Sequence, residues 1–61
     1  MRTEYTIKIT DKNGKTQYCT YSKSYVLSKY DDIKKRYDDH IVELYKVIYN
    51  GTSLYKAEKI L

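Results

Sequence analysis

Sixty-one residues make one domain, and a chain this short buries only about 60% of the surface its unfolded form exposes, so its core is small. Cys19 is the only cysteine, which excludes an intrachain disulfide, and no Cys/His set has the spacing of a structural zinc site. The net charge of +4 is spread thinly, with four cations against two acids over residues 1–22, five against four over 23–40 and three against two over 41–61, so no polybasic tail is present.

Ordering a residue costs roughly 1.5 kcal/mol against about 25 cal/mol per Å² of apolar burial, so domains of this size come out near zero unless stapled or assembled. With no staple available, a homodimer is expected. The palette of nine tyrosines without Phe, Trp or Pro makes tyrosine supply the aromatic bulk of the core, with hydroxyls that must reach water or a partner. Such an excess fits a recognition surface, and it is also what an AT-rich genome encodes.

From the N-terminus, Thr3 to Thr10 alternates, with Tyr5, Ile7 and Ile9 on one face and Glu4, Thr6, Lys8 and Thr10 on the other, the pattern of a half-buried strand. Asp11-Lys12-Asn13-Gly14-Lys15 reverses the chain into a second strand over about 15–21. A three-residue loop with a bulge at Gly14 puts Cys19 and Tyr21 beside Ile7 and Ile9, whereas a two-residue turn puts Tyr18 and Thr20 there. The first register is preferred because Cys is buried far more often than Thr.

Ser22-Lys23-Ser24 reads as a polar connection and Tyr25-Val26-Leu27 as a return to the core. Ser28 followed by Asp31 resembles a capping box, which predicts a helix from about Lys29 to Asp39 with the stripe Tyr30, Ile33 and Tyr37 and with i,i+4 pairs Asp31–Lys35 and Asp32–Arg36. Ile41 to Gly51 is the longest β-branched and aromatic run and predicts a central strand. Ile41, Tyr45, Val47 and Tyr49 lie on one of its faces and Val42, Leu44 and Ile48 on the other, so both faces want cover, one from the helix and one from a second subunit.

Residues 52–61 admit two readings. An Asn50-Gly51 type I′ hairpin would pair Val47 with Leu54 and Ile41 with Ile60, at the expense of setting Glu43 against Glu58; a helix from Ser53 would carry Leu54, Ala57 and Leu61. The strand is preferred. The fold class expected is α+β: a small antiparallel sheet of three or four strands with one packed helix, in the order ββαβ(β).

Chemistry is sparse. His40 beside Asp38 and Asp39 reads as a surface helix end, Cys19 lies mid-strand without a base, and the two glycines sit in hairpin signals rather than a phosphate loop. Neither catalysis, a metal nor a cofactor is expected. No signal-peptide h-region or long apolar run is visible, so a soluble, cytoplasmic protein is expected. Lys34-Lys35-Arg36 is the only basic run, and with the tyrosines it makes a nucleic-acid contact the alternative to protein recognition.

Residues 14–21 (GKTQYCTY) and 27–31 (LSKYD), followed by the apolar strand from Ile41 to Ile48, resemble the small uracil-DNA glycosylase inhibitors of Bacillus podoviruses. The resemblance implies a dimeric, non-enzymatic phage protein that blocks a host enzyme by mimicking DNA. It implies Tyr30 as the aromatic plug of the enzyme's apolar pocket and Asp31 as its acidic partner. Lys34 stands where that family has a second aromatic, with Tyr37 the nearest tyrosine, and the chain is basic where the family is acidic. The partner-binding set expected is therefore Tyr30, Asp31, Lys34 and Tyr37, and the candidate target is a host nucleic-acid-processing enzyme, a uracil-DNA glycosylase first and a CRISPR nuclease second.

Overall fold

The computed structural model describes residues 1–61 and consists of β1 (Arg2–Thr10), β2 (Thr16–Tyr21), α1 (Lys23–Arg36), β3 (Ile41–Asn50) and β4 (Ser53–Lys59). The strands form one antiparallel sheet in the order β2-β1-β3-β4, with α1 on a single face, so the fold is α+β and the fourth strand is real.

The first hairpin has the preferred register: Ile7 faces Cys19 and Tyr5 faces Tyr21. Its loop is closed by the Asp11 N–H donating to the Lys15 carbonyl at 2.9 Å, and Gly14 takes φ +84°. One oxygen of the Asp11 carboxylate accepts from the N–H groups of Asn13 and Lys15, both at 2.9 Å, which is how a short acidic side chain stabilises a tight turn.

The helix starts six residues earlier than its capping signal predicts. Ser22 has extended dihedrals, its carbonyl accepts from the N–H groups of Tyr25 and Val26, and the chain is helical from Lys23. Ser28 lies inside the helix with its hydroxyl donating to the Tyr25 carbonyl at 3.0 Å, so it caps nothing. Lys23 to Leu27, read as the end of a polar connection and a return to the core, is thus helix. The physical reason is Val26, one turn before Tyr30 and two before Ile33: it extends the apolar stripe and is 2% exposed. The helix also stops earlier than Asp39, because Tyr37 leaves helical dihedrals, and Lys34, Lys35 and Arg36 occupy the last turn where the helix dipole favours cations.

Ile7, Ile9, Val26, Ile33 and Leu44 form the core, ringed by Tyr5, Tyr21, Tyr30, Tyr37 and Val42. Tyrosine serves as the wall of the core and not its centre, since a hydroxyl at the centre would be stranded from water.

The second hairpin departs from the expected register. Positive φ occurs at Gly51 (+66°) and at no non-glycine residue, so the turn centres are Gly51 and Thr52, as a type II′ geometry requires, and Asn50 pairs with Ser53. A bulge after Tyr49/Leu54 then shifts the ladder so that Val47 faces Ala57 and Lys46 faces Glu58. The like-charge Glu43–Glu58 pair is replaced by opposite charges, and the Val47–Leu54 and Ile41–Ile60 pairs do not form. Beyond β4 the backbone stays bonded to β3: the Ile60 N–H donates to the Leu44 carbonyl at 2.7 Å and the Leu44 N–H to the Leu61 carbonyl at 2.8 Å.

Candidate interaction surface

Residues directly opposite on antiparallel strands share a face, so the register decides what the sheet shows on each side. Tyr5, Ile7 and Ile9 of β1 lie with Val42 and Leu44 of β3 under the helix. The helix covers β1, β2 and β3 and does not reach β4. Nothing covers the other face. There Tyr18, Tyr45, Val47, Tyr49, Leu54 and Ala57 surround Thr6, Lys8 and Thr20 in a shallow groove of about 540 Å³.

Tyr18 and Leu54, at opposite edges of the groove, are each 63% exposed, while Tyr45, Val47 and Tyr49 along its floor are half-buried. Arg2 stacks on the Tyr49 ring with its guanidinium carbon 4.7 Å from the centroid, and the Tyr45 hydroxyl donates to Glu43 at 3.3 Å. Five charges share this side of the sheet. Arg2 pairs with Glu4 at 3.3 Å and Lys59 with Glu43 at 3.8 Å, which leaves Lys8 as the one cation of the face without an ion pair.

The residues expected to bind a partner are on the helix side. Tyr30 is half-buried against the core with its hydroxyl donating to the Val42 carbonyl at 3.5 Å, and Lys34 folds over it with its ammonium 5.5 Å from the ring centroid. Asp31 points elsewhere and pairs with Lys35 at 3.3 Å; Asp32 and Arg36 form no ion pair. Tyr37 packs against the core and against His40, ring centroids 5.1 Å apart. Tyr30, Lys34 and Tyr37 therefore share one flank, Asp31 does not join them, and the LSKYD segment lies in mid-helix rather than at a helix start. Lys34, Lys35 and Arg36 sit on the opposite side of the molecule from Tyr18, Tyr45 and Tyr49.

The remaining polar chemistry is local. His40 Nδ1 lies 2.7 Å from Asp39 Oδ1, and this hydrogen bond is the main reason the exposed Asp39 carboxyl is held below its usual range. Lys56, 2.7 Å from Glu58, lowers the Glu58 carboxyl in the same way. No group of three His, Cys, Asp or Glu residues is gathered as a metal site would require, and Cys19 is half-buried opposite Ile7. No helix is long and apolar enough to cross a membrane.

The open face was half legible in the sequence: its β3 residues were visible as the second apolar face of the central strand, but Tyr18, Leu54 and Ala57 join them only through the hairpin registers. Fold and surface together define a small α+β domain with a helix on one sheet face and a tyrosine-rich groove on the other. No family model, curated protein or solved structure matches the chain.

Proposed function

We propose that this chain is a non-enzymatic protein-binding domain that acts as an inhibitor, docking its open sheet face on a nucleic-acid-processing enzyme of a host cell and blocking it there. The observation that carries this is the open groove itself, in which three tyrosines, Val47, Leu54 and Ala57 form one continuous surface on a rigid sheet. Aromatic side chains that are already half-held by a strand lose little entropy on docking and provide the anchors on which interfaces depend. The charges of the face favour a protein over a nucleic acid. Two of its three cations already have acidic partners and the basic run at residues 34–36 lies on the helix side, which leaves Lys8 as the one unpaired cation beside the groove's rings, where a single-strand binder needs a basic track.

The target class follows from the resemblance of residues 14–21 and 27–31 to the glycosylase inhibitors, which makes a bacterial uracil-DNA glycosylase the first enzyme to test and a CRISPR nuclease the second. A phage protein working in the host cytoplasm fits this role. The test is inhibition of each purified enzyme by the intact chain and by a Tyr45→Ala/Tyr49→Ala variant. Stoichiometric inhibition by the wild type that is lost in the variant supports the proposal. Inhibition that survives the double substitution removes the open face from it. Binding of DNA or RNA that weakens linearly in log salt and depends on Lys34, Lys35 and Arg36, without enzyme inhibition, replaces it by nucleic-acid binding.

A further inference from the structure

We infer that the outer edge of β2 is a strand-addition site, and that it takes an extended segment of a partner protein with acidic residues at both ends of the paired stretch. β2 is an edge strand, and the Asp11 N–H donating to the Lys15 carbonyl marks a hydrogen-bonded pair of the β1–β2 ladder. Bonded pairs alternate with non-bonded ones, so Gln17, Cys19 and Tyr21 turn their backbone groups to β1 while Thr16, Tyr18 and Thr20 direct theirs away from it. All three are exposed, and each offers one N–H and one C=O to a strand laid alongside.

The two edges of the sheet differ. Proteins blunt an edge strand with charges, proline or a bulge. β4 has Lys56, Glu58 and Lys59 and the bulge after Tyr49/Leu54. β2, TQYCTY, has no charged residue, no proline and an unbroken register over six residues. An uncharged, regular edge is what an added strand pairs with, and Tyr18 gives that strand a ring to pack on.

Charge identifies the occupant. From Lys12 to Tyr30 the chain has Lys12, Lys15, Lys23 and Lys29 and no acid, whereas the remainder balances eight cations against eight acids, so the whole net charge of +4 belongs to the stretch that contains β2. All four lysines are exposed and none forms an ion pair. Lys12 and Lys15 stand at the hairpin end of β2, and Lys23 follows its other end. Lys29 lies about 100° round the helix from Tyr30, which leans on β3, and so belongs to the β2 flank, with Arg36 two turns on and Asp32 the one acid between them. Asp11, the acid next to this stretch, is engaged, its carboxylate accepting from the N–H groups of Asn13 and Lys15. A second copy of the chain is disfavoured at this edge, because two-fold pairing about Tyr18 would bring Lys12 and Lys15 of one copy beside Lys23 of the other. A segment with Asp or Glu at its ends instead meets these lysines while its backbone pairs with Thr16, Tyr18 and Thr20.

NMR of the intact chain with a blocked peptide, Val-Thr-Val-Thr-Val flanked by two glutamates at each end, tests the inference. The amides of Thr16, Tyr18 and Thr20 should shift and gain protection from hydrogen exchange, whereas those of Gln17, Cys19 and Tyr21 are protected before the peptide is added. Affinity should fall about 10-fold or more when two adjacent core residues of the peptide are proline, or when its glutamates are lysines. Thr20→Pro removes an outward N–H that β1 does not use, so it should keep the fold and lose the peptide. If it does not fold, Lys15→Glu/Lys23→Glu, which leaves the strand untouched, should reject the glutamate peptide and accept the lysine one. Absence of protection at Thr16, Tyr18 and Thr20 at millimolar peptide overturns the inference, as does binding that is indifferent to the prolines. Equal binding of the glutamate and lysine peptides overturns the acidic partner. So does protection of the same amides that rises with protein concentration in the absence of peptide, which is pairing with a second copy. The edge and the open face are read separately, the first by amide protection with the peptide and the second by enzyme inhibition with Tyr45→Ala/Tyr49→Ala.

Discussion

Ile7 and Leu44 face each other across the β1–β3 ladder at 0% and 1% exposure, and Val26 and Ile33 of the helix close over them from one side. These four aliphatic side chains, two of them the cross-strand pair itself, make up most of the five-residue core. Leu44→Ala should destabilise the fold by about 2–5 kcal/mol, from lost burial and the cavity left behind. A domain of this length has only roughly 3–9 kcal/mol in total, so a large fraction of the variant should be unfolded at room temperature. Leu44→Met should cost less than about 1.5 kcal/mol. Urea titrations followed by circular dichroism measure both.

Tyr30 separates the resemblance from the geometry. As an aromatic plug it would lose target binding on truncation and little else. Packed as it is against the core, Tyr30→Ala should instead lower stability by about 1–3 kcal/mol and leave inhibition intact wherever the variant is folded, while Tyr30→Phe should be nearly neutral. Comparing melting temperature with inhibition at a temperature where both variants are native reads the two effects apart.

Gly14 and Gly51 take φ +84° and +66°, and an added Cβ at either meets nothing within 4 Å. Alanine at each should therefore cost the backbone term alone, about 1–2 kcal/mol, and asparagine less, because its short polar side chain tolerates the left-handed region. Differences well above this range in thermal melts would show a steric role that the open space around both turns excludes.

Asp39 is held below the ordinary aspartate range first of all by its hydrogen bond with His40. A depressed carboxyl contributes stability that is present above its unfolded value and is lost as pH falls through the folded one, so this contribution should disappear only on the acid side of the ordinary aspartate value of 3.8. Carboxyl carbon NMR titration should place Asp39 below the ordinary aspartate value, and His40→Ala should bring it back towards that value. Added salt should weaken the effect, since the pair is exposed.

Alternation and turn chemistry are local properties, and what depends on them was visible in the residues alone: the strand at 3–10, the reversal at Asn13-Gly14, the stripe Tyr30, Ile33 and Tyr37, and the two-faced strand at 41–49. Even the preference for the register of the first hairpin followed from one cysteine, Cys19, which is half-buried on the helix face. Longer-range contacts decided the rest. Ser28, with Asp31 three residues on, is the stronger local signal for a helix start, and the helix begins after Ser22 because Val26 then joins Ile7 and Leu44 in the core, a contact that exists only once α1 crosses the sheet. Residues 52–61 admitted both strand and helix, with the strand preferred. They became a strand because a bulge at the turn sets Lys46 rather than Glu43 against Glu58, and a bulge is a choice made by two strands together. Which face of β3 stays open was settled likewise, because the helix can cover only one, and placing Leu44 and Val42 beneath it leaves Tyr45, Val47 and Tyr49 on the outside.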